Sequence, residues 1–123
     1  MMEDSELKRY CLALDLVDDP ELIREYEQFH QKVWPEIEKS IRDAGVVQME
    51  IYRIGNRLFM IMETDESFSF QKKAKMDEEN QVVERWEELM SKYQQSLPGS
   101  ANGEKWRLMK KIYTLSDRPP EGN

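Results

Sequence analysis

Few side chains in this sequence are equipped for chemistry, and they gather in one stretch, Arg24-Glu25-Tyr26-Glu27-Gln28-Phe29-His30-Gln31-Lys32-Val33-Trp34-Pro35-Glu36. His30 is the sole histidine among 123 residues. An imidazole ordinarily titrates close to neutrality, so it both gives and takes a proton at physiological pH. Tyr26 precedes it by four residues, and on a helix that spacing sets both side chains on one face. The pair can then meet one small ligand, with a hydroxyl to hold it and an imidazole to move its protons. A plainer reading puts Tyr26 and His30 at the edge of an amphipathic helix's core. Pro35 favours the first reading. It disfavours helical geometry at Trp34, and a bend there exposes a side chain at the end of the preceding turn.

The remaining composition removes whole classes of function. One histidine cannot make a histidine-rich metal site, and Cys11, the single cysteine, excludes an internal disulfide and a cysteine-rich zinc site. No metal or cofactor is expected. The sequence has no G-x-G-x-x-G, no G-x-x-x-x-G-K-[ST] and no G-x-S-x-G, so nucleotide cradles and the hydrolase elbow are absent from it. Lys and Arg total 18 against 25 Asp and Glu, a net charge of -7, and the pI is near 4.8. Nucleic acids and anionic membranes demand a basic surface, so neither is an expected partner. Asp77-Glu78-Glu79 and Glu84, Glu87 and Glu88 read as solvated helix faces. No window approaches 18 uncharged apolar residues, and the opening MMEDSELKRY lacks an apolar signal region. A cytoplasmic protein is expected.

The elements that must carry Tyr26 and His30 follow from periodicity. From Lys8 to Leu16 the chain alternates, with Tyr10, Leu12, Leu14 and Leu16 on one face, which predicts a half-buried strand. Asp19 and Pro20 read as the N-cap and first residue of a helix. Leu22, Ile23, Tyr26, Phe29, His30 and Val33 form its apolar stripe. The helix breaks or bends at Trp34-Pro35, resumes through Ile37 and Ile41, and stops at Gly45. Gly55-Asn56 joins two β-rich runs, Val46–Ile54 and Arg57–Thr64, as a hairpin. Val47, Met49, Ile51 and Arg53 are expected on one face of the first run. A short basic helix is expected over Phe68–Met76 and a longer one over Glu79–Ser96. A loop at 97–103 and a last strand over Lys105–Leu115 complete the domain.

This order predicts an α+β fold of the ferredoxin-like kind, a four-stranded antiparallel sheet with helices on one face. The domain is expected over 8–115, with residues 1–7 frayed and 116–123, which contain Pro119-Pro120, a disordered tail. A sheet covered on one side leaves its other face in need of a cover. Met60, Met62 and the aromatics suggest a ligand or a second subunit there, and a homodimer is expected.

Four segments, REYEQFHQKVWPEI, EIYRIGNRLFMIME, RWEELM and EKWRLMKKIYTL, resemble in that order the L-rhamnose mutarotase family, which also includes L-fucose mutarotases. The most specific part is Tyr-x-x-x-His-x-x-x-Trp-Pro-Glu, and the likeness spans roughly residues 8–115. The resemblance implies a cofactor-free aldose 1-epimerase that interconverts the anomers of a 6-deoxy-L-hexose, L-fucose or L-rhamnose. It also implies dimers whose sheets pack into an α/β barrel and share the last strand. It makes His30 the general acid and Tyr26 a sugar ligand. Two further sugar-binding positions depart from the rhamnose pattern: a tyrosine of the second strand is Met49 here, and a Trp-Trp pair becomes Trp86-Glu87. These departures keep the acid and bear on which sugar is used. RIGNRLFMIME is closer to the L-fucose members.

Mutarotation suits a chain so poor in catalytic groups. A proton reaches the ring oxygen while another leaves the anomeric hydroxyl, and the free aldehyde recloses after rotation about C1–C2. Acid–base assistance of this kind contributes about 10²–10⁴-fold. Trp86 offers a flat apolar face to the C–H side of a pyranose, and Glu87 can accept from two hydroxyls or lie solvated in its acidic run. By residue type Met49 suits irregular packing better than hydroxyl binding, and Trp34, Tyr52 and Trp106 read as packing residues. Two other classes share the topology: a non-catalytic sugar- or metabolite-binding dimer, and a cofactor-free oxygenase of aromatic substrates. The latter is a fold-level analogy alone.

Overall fold

The computed structural model describes residues 7–115. Strand β1 (Lys8–Leu16) leads into helices α1 (Pro20–Phe29) and α2 (Pro35–Asp43), then strands β2 (Val46–Ile54) and β3 (Arg57–Thr64). Helices α3 (Phe70–Glu78) and α4 (Gln81–Ser91) follow, and short strands β4 (Gln94–Gln95) and β5 (Arg107–Leu108) close the sheet. All pairings are antiparallel in the order β2-β3-β1-β4, with β5 also pairing β1. Strand β3 thus lies between β1 and β2, which is the split βαβ arrangement of the ferredoxin-like fold. No helix among the described residues is long and apolar enough to cross a membrane.

Local chemistry sets the element ends. The Asp19 carboxylate accepts from the Glu21 and Leu22 amides, and Pro20 opens α1 without needing an N–H of its own. Gly45 follows α2 with φ 106°, where a β-carbon would come within 2.7 Å of both Asp65 Oδ1 and Ser67 Oγ. At the hairpin, Gly55-Asn56 connects β2 to β3 as expected. Asn56 Nδ2 also donates to the Leu16 carbonyl at 2.9 Å, which ties the tip of the hairpin to the end of β1.

Directly paired residues share a face of the sheet. Leu12 with Met60, Leu14 with Leu58, Met49 with Met62 and Leu16 with Gln94 all face the helices. This side buries Leu14, Leu16 and Leu58 almost completely, beneath Tyr26, Ile37, Val83, Trp86 and Met90. Cys11, Ala13, Phe59, Ile61 and Tyr52 face the other way, where no helix lies. Asp15 is buried on that side and paired in a fork with Arg57, Nε to Oδ1 at 2.7 Å and Nη2 to Oδ2 at 3.1 Å.

Several expectations are corrected. A β-bulge between Val46 and Gln48 turns Val47 outward, 53% exposed, and Val46 takes the buried place. Met60 and Met62 lie under the helices, not on the uncovered face. Tyr52 lies on the uncovered face, its hydroxyl bonded to Glu50. The short helix starts at Phe70, where Ser69 caps it through the Lys72 amide. The long helix begins at Gln81, after the Asn80 cap, and ends at Ser91; Gln94-Gln95 pairs with β1 instead of continuing it. The last strand shrinks from Lys105–Leu115 to Arg107–Leu108, followed by one further bond from the Met109 amide to the Cys11 carbonyl. Beyond it Ile112, Tyr113 and Leu115 are largely exposed, because the protomer offers that segment no strand to pair with. The frayed start and disordered tail expected at 1–7 and 116–123 lie outside the described residues, Leu7 excepted.

Candidate active site

Helix α1 ends one residue before the histidine, so the helix breaks before Pro35 and His30 is its C-cap. The capping geometry has a chemical consequence. His30 Nδ1 lies 2.9 Å from the Tyr26 carbonyl oxygen. A carbonyl can only accept, so Nδ1 carries the hydrogen and the neutral ring keeps its lone pair on Nε2. The main chain thereby sets the tautomer and leaves the ring's acceptor at Nε2.

Aromatic rings hold the imidazole in place. It lies 4.4 Å from the Tyr26 ring and 5.8 Å, near edge-on, from Trp86. Trp86 is itself packed against Trp34 at 5.0 Å. Tyr93 fixes the far side of α1: its hydroxyl donates to Glu25 at 2.9 Å, and its carbonyl accepts from the Val17 amide. Helix α4 presents Val83, Trp86 and Met90 inward at i, i+3 and i+7.

These elements enclose a cavity of about 330 Å³ between helices and sheet. Tyr26, His30, Met49, Trp86 and Glu87 all line it, so all five candidate site residues come together at one place. Its size is at the lower end of the ~300–1,000 Å³ typical of small-molecule sites. Methionines from β2, β3 and α4 form apolar walls, while the imidazole, a phenol, an amide and a carboxylate supply polar groups. A second cavity of about 430 Å³ shares His30, Val33, Ile41, Met49 and Ile51 with the first but lacks Tyr26, Trp86 and Glu87. The chemistry therefore belongs to the first.

Burial pushes the Tyr26 hydroxyl above its ordinary value, the Gln94 amide beside it works against the rise, and the Glu87 carboxylate adds to it. Tyr26 is a neutral hydroxyl donor at any physiological pH. Glu87 itself is exposed on its helix, although it borders the cavity. No cluster of three or more metal-binding side chains occurs among the described residues.

Three lining residues escaped the sequence reading. Trp106, taken for a packing residue, does pack against both apolar clusters and also borders the cavity. Lys73 reaches the rim, paired with Asp77 at 2.6 Å. Gln94 was hidden inside an overlong helix. The available signal was the polar pair Gln94-Gln95, which breaks the apolar stripe ending at Tyr93.

The family model described as L-rhamnose mutarotase matches residues 9–115. The chain is 43% identical over 113 residues to an L-fucose mutarotase of Xanthomonas campestris pv. campestris, covering 90% of each. It is 36% identical over 121 residues to a UPF0734 protein of Dictyostelium discoideum, covering 93% of this chain and 94% of the other. A crystal structure of an L-rhamnose mutarotase from Formosa agariphila superposes with a TM-score of 0.66 at 19% identity, over 89% of this chain and 99% of that one. That last likeness speaks for the fold.

Proposed function

The chain belongs to the L-rhamnose mutarotase family and is a sugar mutarotase, an isomerase; from that premise we propose that it interconverts the α and β anomers of L-fucose in preference to L-rhamnose, with His30 as the proton donor. The preference is supported by the 43% identity to the L-fucose mutarotase and by Met49 and Glu87, which depart from the rhamnose-type pattern. One observation carries the assignment of the acid: Nδ1 is tied to the Tyr26 carbonyl, and His30 borders a cavity of monosaccharide scale.

In the proposed mechanism the imidazolium gives the Nε2 proton to the ring oxygen, O5, as the C1–O5 bond breaks and the C1 carbonyl forms. The O1 hydroxyl gives its proton, directly or through one water, to the Nε2 lone pair so vacated, which restores the imidazolium. The net change is one proton moved from O1 to O5, so a single imidazole regenerated at the end of each opening suffices. Rotation about C1–C2 and the reverse sequence close the other anomer. No electrons are transferred, and the step asks for no redox group. Tyr26 holds a sugar hydroxyl, Trp86 supports the apolar face of the ring, and Glu87 accepts from hydroxyls at the rim. Met49 fills the wall where a hydroxyl ligand stands in the rhamnose type.

The proposal includes a homodimer. Its support is the uncovered sheet face carrying Phe59 and Ile61, and the exposed apolar residues of 109–115 next to a free length of β1 edge. A second copy pairing that segment and covering that face would bury both.

Anomeric exchange tests the reading. Selective saturation of one anomeric proton of L-fucose should transfer to the other faster with protein than in buffer, and faster than for L-rhamnose. His30→Ala should lower the acceleration about 10²–10⁴-fold without lowering the melting temperature. Exchange at the buffer rate for both sugars overturns the substrate assignment, and an undiminished rate in His30→Ala overturns the choice of acid.

A further inference from the structure

The side of the sheet beneath the helices is almost wholly apolar: Leu12, Leu14, Leu16, Met49, Ile51, Leu58, Met60 and Met62. Gln94 is the departure from that pattern next to the candidate site. Its pairing with Leu16, a fully buried residue, fixes it on the helix side, on backbone held in place by the sheet and by the bond from the Val17 amide to the neighbouring Tyr93 carbonyl. A leucine or methionine there would complete the core at no cost.

Gln94 Oε1 is out of contact with solvent and has no hydrogen-bond partner, and among the described residues it is the one buried side-chain atom in that condition. Buried polar atoms in native proteins are nearly always paired, so an exception calls for a physical account. Gln94 borders the cavity with His30, Tyr26, Trp86 and Glu87. Tyr26, its neighbour in that lining, carries a hydroxyl and no apolar group that would account for an amide here. The terminal torsion of a glutamine is soft, so a small turn swings the carbonyl toward the cavity. A sugar hydroxyl is both donor and acceptor, and so is an amide.

We propose that Gln94 is a sugar-binding residue of this mutarotase, accepting a hydrogen bond from a hydroxyl of the bound sugar that the protein alone does not supply. The proposal rests on the preceding functional reading and adds to its site a ligand from the β4 strand. The free protein holds an unpaired acceptor, and substrate completes it. The contact moves no proton between O1 and O5, so it acts on binding more than on the chemical step.

Q94L and Q94M test it, each replacing the amide with an apolar side chain of similar bulk. In the absence of sugar, both should melt about 2–6 °C above wild type, because an unpaired buried acceptor is gone. With L-fucose, wild type should gain thermal stability and the variants less. In anomeric exchange their KM should rise about 2- to 10-fold with kcat nearly unchanged. A purely structural role would move the melting temperature and leave KM and the sugar-induced stabilisation as in wild type. That result, in whichever variant folds, overturns the assignment. Absence of exchange in wild type with either sugar would instead overturn the underlying reading, and the two failures are distinct.

Discussion

The two faces of the sheet are built from the same strands by the same alternation, yet they do different work. Under the helices, Leu14, Leu16 and Leu58 are packed to near-zero exposure, and beside them Leu12, Met60 and Met62 floor the cavity beneath α1, α2 and α4. On the other face, Phe59, Ile61, Ala13 and Cys11 have no helix above them, and Tyr52 and Ile54 are 53% and 81% exposed. Burial on the first face is complete within one chain. On the second it is not. The contrast teaches that residue type alone does not assign a role in a sheet. Parity along the strand does, and a single bulge at Val46/Gln48 is enough to exchange the parts of two adjacent valines.

This division can be broken from either side. Leu14→Ala removes a fully buried side chain from the covered face and should cost about 2–5 kcal/mol in urea unfolding. An effect below 1 kcal/mol would mean that the covered face is not the core. Phe59→Lys places a charge at the centre of the open face. It should weaken self-association about 30-fold or more by light scattering across a dilution series, while leaving the far-ultraviolet spectrum intact. Unaltered association would assign the dimer to another surface.

A smaller effect sharpens the contrast through pH. The hydroxyls of Tyr26 and Tyr93 are raised chiefly by burial, that of exposed Tyr52 by its bond to Glu50. A raised value means that the folded state binds the proton more tightly than the unfolded one. The stabilisation is fully present below the ordinary 10.0 and is lost as pH climbs through the folded values. Urea midpoints should therefore fall from pH 9 to pH 11. Glu50→Gln should bring one tyrosine of the ultraviolet titration back toward its ordinary value without changing that fall. A fall abolished by Glu50→Gln would show that the buried tyrosines are not its source.

Legibility in the sequence followed the range of the forces involved. The bounds of β1, β2 and β3 and the Asp19-Pro20 start of α1 coincide with the structure, because alternation, a Gly-Asn turn and an N-cap are local signals. The Tyr26–His30 pairing was legible for the same reason, being one turn of helix. Strand β4 lies inside the expected long helix and β5 falls short of its expected span at both ends, because a strand is a relation between two segments. Gln94-Gln95 is too short to show a period, and the alternation after Leu108 is real but has nothing to pair with inside the protomer. The outward turn of Val47 and the place of Gln94 in the cavity depend on register, which no run of nine residues contains.

The bond between His30 Nδ1 and the Tyr26 carbonyl bears on how such a protein changes over time. Its acceptor belongs to the main chain, so no point substitution at position 26 deletes it as long as the helix persists. The imidazole's anchor is thus insulated from mutation in its neighbours. Cavity-lining side chains such as Met49 and Glu87 can exchange residue types while the hold on the imidazole is inherited intact.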